Sequence, residues 1–224
     1  MDSDLLDCIE INPSDRPAVT IIWLHGLGAD GHDFEAIVPE LRLPESLPVR
    51  YVFPHAPVRS ITINAGLRMR GWYDILDLKF GAESVDRDQF LESEDMLKTL
   101  IQAELKSGVP SERVLLAGFS QGGAIALHTG LRYSKQLAGI LALSMHLPTI
   151  HNLAPELSPA NRNVPIMMAH GQMDPVVPMA KAIETRQELT RLGYEVSWHA
   201  YPMQHTVCED EIKEIRSWLI KIFA

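Results

Sequence analysis

Cysteine is scarce in this 224-residue chain, since only Cys8 and Cys208 occur. Two cysteines are too few for a disulfide framework, so we expect free thiols in a reducing compartment, which favours a cytoplasmic location. The segment MDSDLLDCIEINP at the N-terminus is acidic and lacks the basic-then-apolar order of a signal peptide. We therefore expect no export by that route.

Positive charge and long apolar runs are also in short supply. The chain has 20 Lys and Arg against 29 Asp and Glu, a formal net charge of -9. This balance disfavours a nucleic acid or an anionic membrane surface as a partner. Apolar runs such as LAGILAL at 137–143 are far shorter than the roughly 18 residues of a spanning helix. We expect no stable membrane insertion, and a small-molecule substrate fits better.

Short apolar runs alternate with longer amphipathic segments, a pattern typical of the α/β class, with a mostly parallel sheet flanked by helices. Length and a hydrophobic content of 46% allow one domain over residues 1–224 to bury a full core. The predicted strands are 5–11, 18–24, 49–53, 113–119, 138–144, 164–169 and 195–201. The predicted helices are 87–107, 121–133, 178–192 and 209–222. The apolar stripe of the first helix contains Leu91, Met96, Leu97, Leu100, Ile101 and Leu105.

The stretch 54–86 departs from this alternation. It is rich in Pro, Gly and Arg, it has no helical period, and its alternating pieces are short. Its apolar residues argue against disorder, and long irregular insertions in compact domains are usually functional. We predict a short irregular excursion that covers the functional site.

The segment RVLLAGFSQGG at 113–123 carries the strongest functional signal. An apolar run leads into GxSxG, formed by Gly118, Ser120 and Gly122, and small residues that suit a helix follow. A sharp strand-to-helix turn holds such a serine in a strained conformation, and the flanking glycines let neighbouring backbone pass closely. Ser120 is therefore the candidate nucleophile.

A serine nucleophile needs a base and an acid, which follow it in the order serine, acid, histidine on a sheet of this kind. His205 follows the predicted strand EVSWHAY and precedes the last helix, so it is the candidate base. Asp174, in the loop HGQMDPVVP, is the candidate acid, and His170 is expected to fix that turn. Two alternatives stay open: His205 as a surface-loop histidine, and Asp174 as a cap for the next helix.

The loop HGLGADGHDF at 25–34 contains GxGxxG, which resembles a dinucleotide-binding fingerprint. The next apolar run ends in Pro54 and His55 rather than in the acid that would hold a ribose hydroxyl, which disfavours that interpretation. The alternative is an oxyanion loop, in which the backbone N–H of Leu27 points at the site. The second donor would be the N–H of Gln121, the residue after the nucleophile.

No metal site is predicted. His32 and Glu35 lie three residues apart, but HExxH is absent and a solvated helix face explains the pair.

Six ordered segments together resemble one family: HGLGADGHDF, MRGWYDI, GFSQGG, LSMHLP, HGQMDPVVP and the loop of His205. They are similar to the small bacterial carboxylesterases related to acyl-protein thioesterases and lysophospholipases. The resemblance implies an α/β-hydrolase fold and no cofactor. It also implies a catalytic triad and two oxyanion donors, namely Ser120, Asp174, His205, Leu27 and Gln121.

The resemblance implies a serine esterase that cleaves carboxylic esters with short to medium acyl chains through an acyl-enzyme. The alternatives are an acyl-protein thioesterase, acting on S-acylated proteins as a depalmitoylase, and a lysophospholipase acting on lysolipids. An acyl-ligand binding protein on the same fold is the non-enzyme alternative, and a homodimer stays open.

The groove beside the nucleophile is where the sequence departs from the family. At LSMHLP the family usually has a small residue followed by Trp or Tyr, whereas Met145 and His146 occupy those places here. Either these residues line an acyl groove or they repack its wall. Met69 and Trp72 either cover the acyl chain or belong to a satellite core. The substrate-binding candidates are Met69, Trp72, Met145, His146, Leu147 and Val176.

Overall fold

The computed structural model describes residues 5–11 and 17–224. Its strands are β1 (Cys8–Ile11), β2 (Val19–Leu24), β3 (Val49–Pro54), β4 (Val58–Ile61), β5 (Leu67–Arg70), β6 (Val114–Phe119), β7 (Gly139–Leu143), β8 (Ile166–Gly171) and β9 (Val196–Tyr201). Its α-helices are α1 (Ile37–Leu41), α2 (Arg87–Lys106), α3 (Gln121–Arg132), α4 (Met179–Arg191) and α5 (Glu209–Phe223). Part of the acidic segment considered for a leader, residues 1–4 and 12–13, lies outside the described residues.

Seven strands form one sheet in the order β1-β3-β2-β6-β7-β8-β9. β1 pairs with β3 in the antiparallel sense, and every other neighbouring pair is parallel. The helices between parallel strands are the crossovers that such pairing requires. This is the mostly parallel, helix-flanked sheet of the α/β-hydrolase fold, which confirms the fold class predicted from the sequence.

The sheet separates two hydrophobic clusters because successive side chains of a strand point to opposite faces. Ile22 and Leu24 of β2 pack into the cluster that contains buried residues of α2 and α3. Ile21 and Trp23 pack into the other, which contains buried residues of α1 and α5. Strands buried on both faces lose the polar alternation of an amphipathic strand, which is why β2 is buried throughout and apolar at every position except Thr20.

The buried face of α2 differs from the predicted stripe in two ways. Leu91 was expected in the stripe but is 39% exposed, so its inclusion was wrong. Three polar side chains, Ser93, Glu94 and Glu104, are buried instead. Glu94 pairs with His128 and Lys98, so tertiary contacts rather than apolarity bury that position.

The excursion 54–86 contains more regular structure than the sequence predicted. β4 and β5 form a separate antiparallel hairpin, and Ile75 bridges Val85 further along. Among the described residues, no helix has the length and apolarity needed to cross a membrane.

Candidate active site

Ser120 occupies the sharp turn between β6 and α3. Its φ is 53° and its ψ is -121°, a conformation that costs a non-glycine residue free energy and that clusters at functional sites. A Cβ on Gly122 would lie 2.5 Å from the carbonyl oxygens of Leu24 and His25, so only glycine fits there. The backbone N–H of Ser120 donates to Leu143 O at 2.8 Å, which anchors the turn to β7.

The structure brings Ser120, His205 and Asp174 into one hydrogen-bonded chain. His205 Nε2 lies 3.0 Å from Ser120 Oγ, and His205 Nδ1 lies 2.6 Å from Asp174 Oδ2. The serine follows β6, the aspartate follows β8 and the histidine follows β9. All three therefore meet at the carboxyl edge of the parallel strands, where open α/β sheets place their sites.

Asp174 is held from both ends of its carboxylate. Oδ1 accepts the backbone N–H groups of Val176 and Val177 at 2.8 and 2.9 Å, while Oδ2 faces His205. The side chain is fully buried. The capping alternative accounts for only one of the two oxygens, and the N-cap of α4 is Pro178 rather than Asp174.

His170 fixes the turn that carries Asp174, as the sequence predicted. Its Nε2–H donates to Val177 O at 2.9 Å, and the ring is fully buried. Burial lowers the pKa of His170, so its imidazole stays neutral. It therefore does not compete with His205 for the negative charge of Asp174.

Two backbone N–H groups beside Ser120 are available to a ligand. Among the described residues, no acceptor is within hydrogen-bonding geometry of the N–H of Leu27 or of Gln121. Gln121 is the first residue of α3, where a helix leaves N–H groups unsatisfied. Leu27 precedes Gly28, whose φ of 81° and whose N–H bond to Arg70 O at 2.8 Å shape the loop.

The side chain of Gln121 has a role that sequence reasoning missed. Its Oε1 accepts the N–H of Trp72 at 2.7 Å, and its Nε2 donates to Tyr73 O at 2.6 Å. Trp72 Nε1 donates to His25 O at 2.9 Å. The excursion is therefore tied to α3 and to the oxyanion loop. No local pattern signals these contacts, because their partners lie about fifty residues apart.

A cavity of about 110 Å³ opens beside Ser120, and its wall is mostly apolar. Met145, His146 and Val176, three of the residues predicted to bind substrate, lie on this wall. Residues of the excursion, together with Val177, form much of the remaining wall, and the sequence did not identify them. They are Ile63, Ile75, Leu78, Phe80, Val85 and Val177.

The other three predicted groove residues lie elsewhere. Trp72 is fully buried in the hydrophobic core, the second alternative considered for it. Leu147 is also buried and lines a second, neighbouring cavity. Met69 contacts the loop of Gly28, since its sulfur would lie 3.6 Å from a Cβ at that glycine. None of the three lines the cavity beside Ser120.

The pair considered for a metal site lies at the surface. His32 and Glu35 form an exposed pair at 2.8 Å, in a turn rather than on the helix face expected from sequence. Within residues 5–11 and 17–224, no three His, Cys, Asp or Glu side chains gather as a metal site would require.

A serine on a strained strand-to-helix turn, with a histidine and an aspartate at the same sheet edge, defines a serine hydrolase of the α/β-hydrolase class. A sequence profile of the phospholipase/carboxylesterase family matches residues 7–223. The chain therefore belongs to that family and is a hydrolase of esters or thioesters.

Similar proteins agree with this assignment. Acyl-protein thioesterase 1 of Neurospora crassa is 41% identical over 91% of this chain and 86% of its own length. Acyl-protein thioesterase 1 of Gibberella zeae is 40% identical over 90% and 89%. Among solved structures, Arabidopsis thaliana SOBER1 is 31% identical with a TM-score of 0.86, covering 92% of this chain and 99% of its own. Zea mays acyl-protein thioesterase 2 is 25% identical with a TM-score of 0.83, covering 97% and 99%.

Proposed function

We propose that this protein is an acyl thioesterase that removes short to medium acyl groups from sulfur, and also from oxygen, through Ser120. The observation that carries the proposal is the Ser120–His205–Asp174 chain beside a small apolar cavity. The names of the fungal relatives support a thioester as the bond that is cleaved. A complete set of catalytic groups disfavours a protein that only binds acyl ligands.

In the proposed mechanism, the neutral imidazole of His205 takes the proton of Ser120 Oγ as that oxygen attacks the acyl carbonyl carbon. Asp174 holds the ring in the tautomer that leaves Nε2 free to accept, and it stabilises the imidazolium that forms. The carbonyl oxygen becomes an oxyanion, which accepts hydrogen bonds from the N–H groups of Leu27 and Gln121.

Collapse of this intermediate breaks the bond from the acyl carbon to sulfur or oxygen. His205 gives its proton to the leaving thiolate or alkoxide, and the acyl group stays on Ser120 as an ester. Water then attacks that ester while His205 accepts its proton. The carboxylic acid leaves and Ser120 regains its hydroxyl, so no cofactor enters the balance.

The size of the cavity supports the short to medium chain length. Pockets that enclose drug-sized ligands measure about 300–1,000 Å³, whereas this cavity is about 110 Å³. A long palmitoyl chain or a whole lysolipid tail exceeds this volume and would extend beyond the cavity. We therefore propose hydrolysis of shorter-chain thioesters as the main activity and treat depalmitoylation and lysophospholipid cleavage as less favoured alternatives. A small S-acyl thiol or an S-acylated peptide is the substrate class.

The test compares alkanoyl thioesters of increasing length with the matching oxygen esters, for the wild-type protein and for Ser120→Ala. We expect turnover of the shorter thioesters, and a fall in kcat of about 10⁴-fold or more in the variant. A fluorophosphonate probe should label only the wild type. Undiminished turnover in Ser120→Ala would refute the mechanism, and preference for the longest chains would favour depalmitoylation instead.

The location and assembly of the protein are also proposals. Cys8 and Cys208 are both free and partly buried, which supports a reducing compartment such as the cytoplasm. Measuring the mass of the protein in solution would show whether two copies associate into a homodimer.

A further inference from the structure

One wall of the cavity beside Ser120 has an unusual composition for a surface that meets an alkyl chain. His146 lies there, where its ring meets Phe80 edge-on, with centroids 5.0 Å apart and planes at 79°. Both residues also line a second cavity of about 140 Å³, which contains Lys181 and Glu184. His146 and Phe80 therefore form the partition between an apolar cavity and a more polar one.

Most polar side chains on the wall of the first cavity already have partners. Ser120 contacts His205, Gln121 holds the excursion, Ser84 Oγ accepts the N–H of Gly81, and Asp77 accepts that of Lys79.

Two polar groups on this wall differ from the others. The ring of His146 and the hydroxyl of Tyr73 make no hydrogen bond to any of the described residues. His146 is only partly buried, and neither group is among the fully buried polar atoms that lack a partner, so both are accessible to a ligand that enters the cavity.

The charge state of His146 determines which ligand group fits. Burial, together with the nearby Lys181, lowers the pKa of His146 to about 4, so the ring is neutral at neutral pH. A neutral imidazole has one nitrogen that donates and one that accepts. A hydroxyl group can satisfy either nitrogen, whereas a methyl group satisfies neither.

We propose that His146 is a specificity-determining residue that recognises acyl groups with a hydroxyl toward their distal end. The inference rests on the proposed acyl hydrolase function and names the substrate class within it. The carbonyl lies at Ser120, the methylene groups contact the apolar wall, and the distal hydroxyl meets the ring of His146 at the partition. Phe80 holds the ring in place through its edge contact.

The test uses thioesters of one small thiol in three series of equal chain length, ending in methyl, hydroxyl or carboxylate. For the wild type, kcat/KM for the hydroxyl series should exceed that for the methyl series by about tenfold at one chain length. The His146→Phe variant retains an aromatic ring against Phe80 but loses both nitrogens. We expect the hydroxyl-to-methyl ratio to fall to about one in that variant.

Three further variants make the assignment specific. His146→Gln keeps a donor and an acceptor and should keep part of the preference. His151→Phe is the matched control, because His151 borders only the second cavity and already contacts Glu184 at 2.8 Å. Its ratio should equal that of the wild type. Loss of the preference in Tyr73→Phe instead of His146→Phe would overturn the assignment to His146.

The remaining outcomes separate this inference from the proposed function. Equal turnover of all three series by the wild type, abolished in Ser120→Ala, would refute the inference and leave the hydrolase function standing. A preference for the carboxylate series would also refute it, because it would assign recognition to the lysine charge of the second cavity. Absence of turnover with every thioester and ester would overturn the function itself. Thermal unfolding and fluorophosphonate labelling show that each variant is folded with Ser120 intact.

Discussion

At the scale of single residues, Asp174 shows how one buried carboxylate serves both structure and the proposed chemistry. One oxygen accepts two backbone N–H groups of its own turn, and the other lies 2.6 Å from His205 Nδ1. The two bonds to Oδ1 fix the Asp174 side chain, so that Oδ2 is held in the direction of His205 Nδ1. Charged hydrogen bonds of this kind are the stronger ones, so the position of His205 depends on them.

Replacing Asp174 by Asn separates these two roles. The amide oxygen can still accept the N–H groups of Val176 and Val177, so we expect the variant to fold. The amide nitrogen would donate to His205 Nδ1, so the ring proton would lie on Nε2. In that tautomer Nε2 can no longer accept the proton of Ser120. We expect kcat on a thioester to fall about 10⁴-fold.

The matched control is Asp95→Asn, whose side chain is 77% exposed on α2 and which should keep full activity. Steady-state kinetics and thermal unfolding of both variants check the prediction. An Asp174→Asn enzyme with nearly wild-type kcat would show that His205 does not need the carboxylate.

Gln121 offers a second prediction at this scale, because its side chain hydrogen-bonds the excursion to α3. Gln121→Leu keeps the backbone N–H proposed as an oxyanion donor but leaves the N–H of Trp72 and the carbonyl of Tyr73 without partners. Two such buried groups should cost about 2–4 kcal/mol of unfolding free energy, measured by urea denaturation. The exposed Gln187→Leu on α4 is the control. Equal stability of the two variants would contradict this prediction.

The residues that the sequence identified are those with a local signature. Ser120 lies in a glycine-flanked motif, and Asp174 and His205 follow strands in the order required by the fold. The side-chain role of Gln121 and the place of Phe80 on the cavity wall could not be predicted, because both depend on where the excursion packs. Trp72 was ambiguous for the same reason, since an apolar residue in a loop fits a groove and a core equally well.

At the scale of elements, the strands were predictable because each central strand is apolar on both faces. The hairpin of β4 and β5 was not, since Val58 and Leu67 are exposed and neither strand buries a continuous apolar face. α1 has only five residues, which is too short for a helical period to be recognised. The polar residues buried on α2 reverse the pattern that predicts a helix face, because each has a tertiary partner. Ser93 donates to Trp72 O, Glu94 pairs with His128 of α3, and Glu104 pairs with Arg50 of β3.

The element α5 contains a buried acid that should make stability depend on pH. Glu211 is fully buried in its first turn, and burial raises the pKa of this carboxyl from 4.5 to about 8, partly offset by the Cys208 N–H. Between pH 4.5 and 8, the folded protein keeps a proton that the unfolded chain releases. The unfolding free energy should therefore fall as pH rises through this window, by up to about 1.4 kcal/mol per pH unit.

Glu211→Gln removes this titration while keeping the size of the side chain. We expect the variant and the wild type to have similar stability near pH 4 and the variant to be more stable near pH 8. Urea denaturation at both pH values measures the difference, and Glu214→Gln, half exposed on the same helix, is the control. A gain of the same size at both pH values would show that Glu211 is not protonated in the folded state.

At the scale of the whole molecule, the two hydrophobic clusters depend on the same strands. β6 contributes Leu116 to one cluster and Leu115 and Ala117 to the other. Because the two clusters share β6, unfolding of this strand would expose both of them. The proposed catalytic groups are equally distributed, because Ser120, Asp174 and His205 follow three different strands of this one sheet.

We therefore predict that the chain unfolds in a single cooperative transition, as one domain would. In calorimetry at a pH where unfolding is reversible, the calorimetric and van't Hoff enthalpies should agree, and thioesterase activity should disappear over the same temperature range. A heat-capacity change of about 3 kcal/mol/K is expected for a chain of this length that unfolds completely. A van't Hoff enthalpy well above the calorimetric one would point to unfolding of an associated form. One well below it would mean that the two sides of the sheet unfold separately, which the shared strands make costly.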